Sequence, residues 1–381
     1  MARRRAVSSV DDQSSSARPQ TTPVTQTPHP CVSLPRRRLL RAVGAGGLTL
    51  TAGCTSLIGR DDTTWSQSLS GRVVTPMTAT ADTLFVGTTT GHLAAVGRVG
   101  TRRWQTRETS AATTTTPVHD DTRGHLYVGY ADGVRAFDAA SGDHQWTVRT
   151  ANRVAAAPVV GDDVVLVADR STVVALDPET GTRRWGVEVA NPIVSLERRD
   201  PSRLIVADRN GIIAALDANT RSIRWENRLE WYTRAPPVTA TGSVFVDTAD
   251  TYLYALDAAT GEKQWVRHPG PGGLSPVSVD GGRVVAGTAD GTAAAFSAAD
   301  GTTQWSFDVD ASLPGKPVVA NGRVFLAALD GDIHVVDVTS GRQQTTLTTD
   351  GALRTAPVVD DAIYTVTRDG TLTRRPLPER D

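Results

Sequence analysis

His119-Asp120-Asp121 and His125 form the densest grouping of metal-ligand side chains in the sequence. Imidazole and carboxylate groups this close together would suit a divalent cation. The tripeptides Ala131–Gly133, Ala289–Gly291, Leu329–Gly331 and Arg368–Gly370 all end in Asp-Gly and superficially resemble acidic calcium loops. The only cysteines are Cys31 and Cys54, so no disulfide or thiolate metal site can form beyond residue 54. Spacing alone yields no Ser-His-Asp set, phosphate loop or paired catalytic carboxylates. Whether the histidines and aspartates do chemistry depends on the elements that hold them.

Those elements repeat. Tryptophans fall at Trp65, Trp104, Trp146, Trp185, Trp225, Trp265 and Trp305, spaced 39, 42, 39, 40, 40 and 40 residues apart. One more step reaches Thr345, which keeps the frame without the ring. Each unit reads as four short runs with β-branched bias, bounded by Gly, Asp or Asn, as in Ala235–Ala240, Ser243–Thr248, Tyr252–Asp257 and Lys263–His268. Four strands in about forty residues leave no room for helices. The expected fold is all-β, an eight-bladed propeller of four-stranded antiparallel blades spanning 63–381, with a solenoid as the alternative. The chain enters on one lone strand, Thr63–Leu69, and leaves after three. Thr63–Leu69 should therefore supply the outer strand of the last blade, close the ring and remove its open edges.

Within that frame the His119 cluster falls in the hairpin between the first two strands of blade 2. The Asp-Gly tripeptides fall between second and third strands, where they are turn formers. No metal and no cofactor is expected.

The repeat itself has a structural rationale. In "ALDPETGTRRW" (Ala175–Trp185), Ala175 is small where the third strand packs closely. Asp177 can accept backbone N–H groups from the turn, Gly181 suits positive φ, and Trp185 should reach the adjoining blade. Arg221 replaces the glycine in blade 4, which predicts a strained turn. Val96 and Ser297 replace the aspartate in blades 1 and 6. Thr345 leaves one seam without a ring, and that seam should fray first.

The pattern Ala-x-Asp-x-x-Thr-Gly-x-x-x-Trp resembles the tryptophan-docking repeat of the pyrroloquinoline-quinone (PQQ)-like propeller family, over about Thr63 to Arg375. That family includes quinoprotein dehydrogenases and non-catalytic scaffolds, among them the lipoprotein of the bacterial outer-membrane assembly complex, which has a similar size, anchor and blade count. The resemblance implies that its enzymes hold PQQ beneath a disulfide between adjacent cysteines, over a tryptophan and beside a calcium. This chain lacks the adjacent cysteines, the long insertions and a Cys-x-x-Cys-His haem signature. A binding protein, not an enzyme, is the expectation.

The head of the chain differs in kind from the body. Residues 1–60 hold nine Arg and two Asp, so the remainder carries about -8 of the total -1. An acidic body argues against nucleic-acid binding. Residues 1–35, rich in Ser, Thr, Gln and Pro, should be disordered. Residues 36–54 read as a signal peptide: Arg36, Arg37, Leu39 and Leu40 resemble a twin-arginine export pattern, followed by a short apolar stretch. "TAGC" (Thr51–Cys54) resembles a lipobox that would place lipid on Cys54; an ordinary cleaved signal is the alternative. A short linker, 55–62, follows, so the body would lie within about 35 Å of the anchor. Lysine occurs only at Lys263 and Lys316, and Asp far outnumbers Glu. With the export pattern, this bias resembles a haloarchaeal lipoprotein on the outer face of the cell membrane. Such a cell has no outer membrane, so the outer-membrane role would not carry over.

One stretch breaks the repeat. "EWYTR" (Glu230–Arg234) adds Trp231 and Tyr232 beside Arg234, while Arg72, Arg153, Lys316 and Arg354 also precede or begin inner strands. Off-register aromatics among arginines have the composition of interface hot spots; packing of a longer loop is the alternative. The expected function is a lipid-anchored, monomeric scaffold binding an envelope protein. The alternative is a quinoprotein-like enzyme or a small-ligand receptor using the central funnel.

Overall fold

The computed structural model describes residues 64–379, apart from 108–110, 201, 234 and 271. The expected export signal, Cys54 and the segments 1–35, 36–54 and 55–62 lie outside the described residues, as does Arg234. No helix among the described residues is long and apolar enough to cross a membrane.

The strands form eight four-stranded antiparallel sheets, and these are the eight blades of a β-propeller. Blade 3 is representative, with strands Val159–Val160, Val165–Asp169, Thr172–Leu176 and Arg183–Glu188 ordered from inner to outer edge. Blade 8 takes Val358–Val359, Ala362–Val366 and Thr371–Pro376 from the end of the chain. Its outer strand is Trp65–Ser68, paired antiparallel with Thr371–Pro376. The two ends of the propeller segment thus close the ring, as the fragmentary terminal units predict.

Burial follows from this stacking. In most blades the second and third strands are covered on both faces by neighbouring blades and read as nearly continuous apolar runs, Thr371–Pro376 of blade 8 being an exception. The outer strands have one face to solvent and alternate, as His144–Arg149 does. The core is accordingly divided among the seams. One cluster joins Tyr127, Ala136 and Trp146 of blade 2 to Val165, Val167 and Leu176 of blade 3, and each other seam has its own.

One rung crosses every blade from channel to periphery. In blade 3 it runs Val159, Leu166, Ala175, Trp185, and in blade 5 Val238, Phe245, Ala255, Trp265. In blades 1–6 a third-strand alanine therefore sits directly opposite the indole, while in blade 8 Arg374 stands opposite Trp65. In blade 7, where Thr345 has no ring, the opposing residue is the larger Val335. Beside each such pair in blades 1–7 the register slips by one residue, a bulge that frees the residue before the tryptophan position.

One sequence reading needs correction here. Val96 pairs with Arg102 as Phe137 pairs with His144, so Gly97, not Val96, stands at the aspartate position of blade 1. The turn is one residue shorter there, closing Gly100 N–H onto Gly97 C=O where blade 2 closes Gly142 onto Asp138. Ser297 does occupy the aspartate position of blade 6.

Candidate functional site

The tryptophans dock across seams. The indole N–H of Trp146 donates to Pro178 O at 2.8 Å, and those of Trp65, Trp104, Trp225, Trp265 and Trp305 reach the corresponding carbonyls of Arg98, Ala139, Ala258, Ala298 and Val338 at 2.8–3.3 Å. Each ring lies on the glycine of the next blade's turn. A Cβ on Gly181 would stand 2.8 Å from Trp146 Cδ2, and Gly100, Gly142, Gly261, Gly301 and Gly341 seat their rings as closely. The turn aspartates hold these seats in place. Asp177 accepts the N–H groups of Glu179 and Thr180 and pairs with Arg184, the bulged residue, at 2.6 Å. Its carboxyl is held down to about 2, chiefly by Arg184 and then by Thr180 N–H.

Two seams depart from this pattern, each for a local reason. Between blades 3 and 4 the seat is Arg221, at φ 57, and its guanidinium lies 5.7 Å from the centre of the Trp185 ring. A Cβ occupies the place where the other rings rest. Trp185 makes no hydrogen bond to Ala218 among the described residues, and a cavity of about 200 Å³ opens there, lined by Trp185, Ala218, Arg198 and Asp200. Between blades 7 and 8, Thr345 faces a blade whose third and outer strands come from opposite chain ends. No turn joins them, so there is no seat to receive a ring. The C-terminal residues serve instead. Arg323 donates to Pro378 O and Glu379 O at 2.7 Å, and Leu377 packs on the Phe325, Val335 and Leu347 cluster.

The potential metal ligands do not converge. Asp120 is buried and accepts the N–H groups of Thr122 and Arg123 at 3.0 and 3.2 Å, capping its own hairpin. His119 turns to Asp121, and the buried His125 lies against Tyr127. The Asp-Gly tripeptides close hairpins, with Gly291 N–H on Thr288 O and Gly331 N–H on Ala328 O. Among the described residues no three His, Cys, Asp or Glu side chains are grouped to hold a metal ion. The sequence also offers no cysteine past residue 54. The donor set therefore does not fit the quinone and calcium that the PQQ resemblance implies.

The repeat-breaking segment has a defined geometry. Leu229 and Thr233 are buried and pin the connection between blades 4 and 5: Leu229 N–H reaches Gly211 O at 2.8 Å, and Thr233 bridges to Thr248. Between these two anchors Trp231 and Tyr232 stand 52% and 44% exposed. About half of each ring thus faces solvent and half lies against the loop. Tyr232 O accepts Ala249 N–H at 2.9 Å, which fixes this loop to the neighbouring hairpin. That hairpin adds Tyr252, 39% exposed, edge-on to His268 at 5.2 Å. Sequence reasoning missed Tyr252. Its signal is the missing glycine: Thr251, a β-branched residue, holds φ 73 where related hairpins have Gly. Arg72, Arg153, Lys316 and Arg354 are all exposed where inner strands begin.

Comparison with the curated proteins finds no match. Residues 198–375, from the inner strand of blade 4 into blade 8, match the family model described as outer membrane protein assembly factor BamB. Among solved structures, BamB from Moraxella catarrhalis aligns with a TM-score of 0.70 and 21% identity, covering 82% of this chain and 98% of that one. The computationally designed Ika8 protein aligns with a TM-score of 0.73 and 14% identity over 82% and 98%. A europium-containing methanol dehydrogenase aligns with a TM-score of 0.64 and 15% identity over 80% and 83%. The family match supports the PQQ-like repeat reading, and the three structures share the fold.

Proposed function

We propose that this chain is a non-catalytic binding scaffold of the cell envelope. Its partner would be a protein that docks on the blade 4–5 face around Trp231, Tyr232 and Tyr252. The observation that carries this reading is the exposed aromatic pair on a backbone pinned at both sides. Two large rings each left about half open to water cost apolar hydration, and a partner surface would relieve it. Arg72, Arg153 and Arg354 extend the surface toward the channel mouth, where they would favour acidic side chains. The match to an outer-membrane assembly factor supports a scaffold role and an extracytoplasmic location in general terms. We further propose export through Arg36, Arg37, Leu39 and Leu40, lipid attachment at Cys54, and a monomeric propeller held at the outer face of the membrane. Nucleic acid is not an expected partner.

The test is chemical cross-linking on membranes followed by purification of the tagged protein. The wild type should capture a discrete partner that the Trp231→Ala/Tyr232→Ala variant loses. The same capture by both would remove this face from consideration.

A further inference from the structure

Each blade's tryptophan rung begins at the channel wall. The eight inner residues are Thr78, Val118, Val159, Glu197, Val238, Ser278, Val318 and Val358. Seven are uncharged, and Glu197 of blade 4 is the exception. Two residues nearer the mouth the corresponding positions are Pro76, Thr116, Ala157, Ser195, Pro236, Pro276, Lys316 and Ala356. Lys316 of blade 7 is the one charge there. Thus two adjacent rings of the channel hold one carboxylate and one ammonium.

Glu197 stands on the innermost strand of its blade, and Lys316 just before the innermost strand of its own. Blades 4 and 7 are not neighbours, so the electrostatic coupling of Glu197 with Lys316 must act through the central space. Among the described residues neither side chain makes a hydrogen bond or an ion pair. Glu197 also stands where Thr78 and Ser278 donate their hydroxyls to Pro117 O and Pro317 O of the next blade. An ionised carboxylate has no proton to give to such a carbonyl, so it is left to the channel. Burial raises the Glu197 carboxyl and lowers the Lys316 ammonium, each opposed by the other's charge. Glu197 is thus partly buried without a close partner while Lys316 stays open to the channel, an arrangement that leaves both free to take a ligand.

The approach is graded. Arg72 and Arg153 lie six residues before their blades' inner rung positions, Arg354 four before, and Lys316 two before. Exposed acids precede inner strands as well, Glu230, Asp310 and Asp350 each eight residues before its rung. Below this mixed rim Lys316 and Glu197 stand one step apart, about 6–7 Å along the strand direction. An anion alone would be drawn inward and then repelled by Glu197. A cation alone would meet Lys316 before it reached Glu197. A molecule with both charges satisfies both ends.

We propose that the channel binds a small zwitterion, an amino acid or short peptide, with its ammonium at Glu197 and its carboxylate at Lys316. Calorimetric titration of the purified protein with alanine, dialanine, trialanine and tetraalanine tests this, together with N-acetylated and C-amidated forms of the best binder. The expected result is saturable one-to-one binding that either block weakens at least tenfold. Glu197→Gln should erase the penalty of acetylation alone, and Lys316→Gln that of amidation alone. Circular dichroism establishes that each variant is folded, and the blocked peptides on the wild type need no variant. No saturable binding by any of the four, or equal binding of free and blocked forms, overturns the proposal.

Discussion

Gly181 lies under the indole of Trp146, so close that a Cβ there would stand 2.8 Å from the ring. The two residues belong to different blades, and the contact explains why the repeat keeps both. The tryptophan of one unit needs the glycine of the next. Gly181→Ala adds overpacking to a left-handed backbone and should cost about 2–4 kcal/mol in equilibrium denaturation. A loss below about 0.5 kcal/mol would refute the seating contact.

The converse change lies at Arg221. Arg221→Gly should relieve about 1 kcal/mol of backbone strain and let Trp185 settle toward Ala218. The denaturation midpoint should rise and tryptophan emission shift to the blue. An unchanged spectrum would show that the guanidinium does not hold the ring away.

Trp146 is seated and bonded, whereas Trp185 borders a cavity. Trp146→Ala should therefore cost about 3–5 kcal/mol and Trp185→Ala distinctly less. Equal losses would mean that seating contributes little to the seam.

The blade 7–8 seam depends on Leu377–Glu379 in place of a ring. A chain ending at Pro376 should lose hydrogen-exchange protection at Gln343–Thr348 while Thr303–Asp308 stays protected. Equal protection in both strands would contradict that role for the tail.

Asp177 and Asp217 are both held down to about 2 from 3.8, the second chiefly by Thr220 N–H and then by Arg224. Their folded values lie below their unfolded ones, so their stabilisation is complete above about pH 4 and lost as pH falls toward 2. Melting temperature measured across that range should fall more steeply for the wild type than for Asp177→Asn/Asp217→Asn. Parallel curves would contradict the assignment.

The blade count, the closing strand and the turn chemistry were legible in the sequence because each rests on local spacing. The reason for Thr345 was not. It follows from ring closure, which puts the chain ends where a seat would be. Arg221 was readable as a strained turn, but not as the displaced seat of Trp185, because the two residues are 36 apart and meet only across a seam. Trp231 and Tyr232 stood out as departures from the repeat, but their exposure of about half depends on contacts that only the fold brings together. Glu197 drew no notice, since a lone glutamate in a strand carries no signal until the register places it in the channel wall.

The scaffold reading rests on the face at Trp231 and Tyr232, and comparative cross-linking on membranes tests it most directly. The expected result is a discrete partner captured by the wild type and lost by Trp231→Ala/Tyr232→Ala at an unchanged melting temperature. Capture of the same partner in the same yield by both proteins would contradict it.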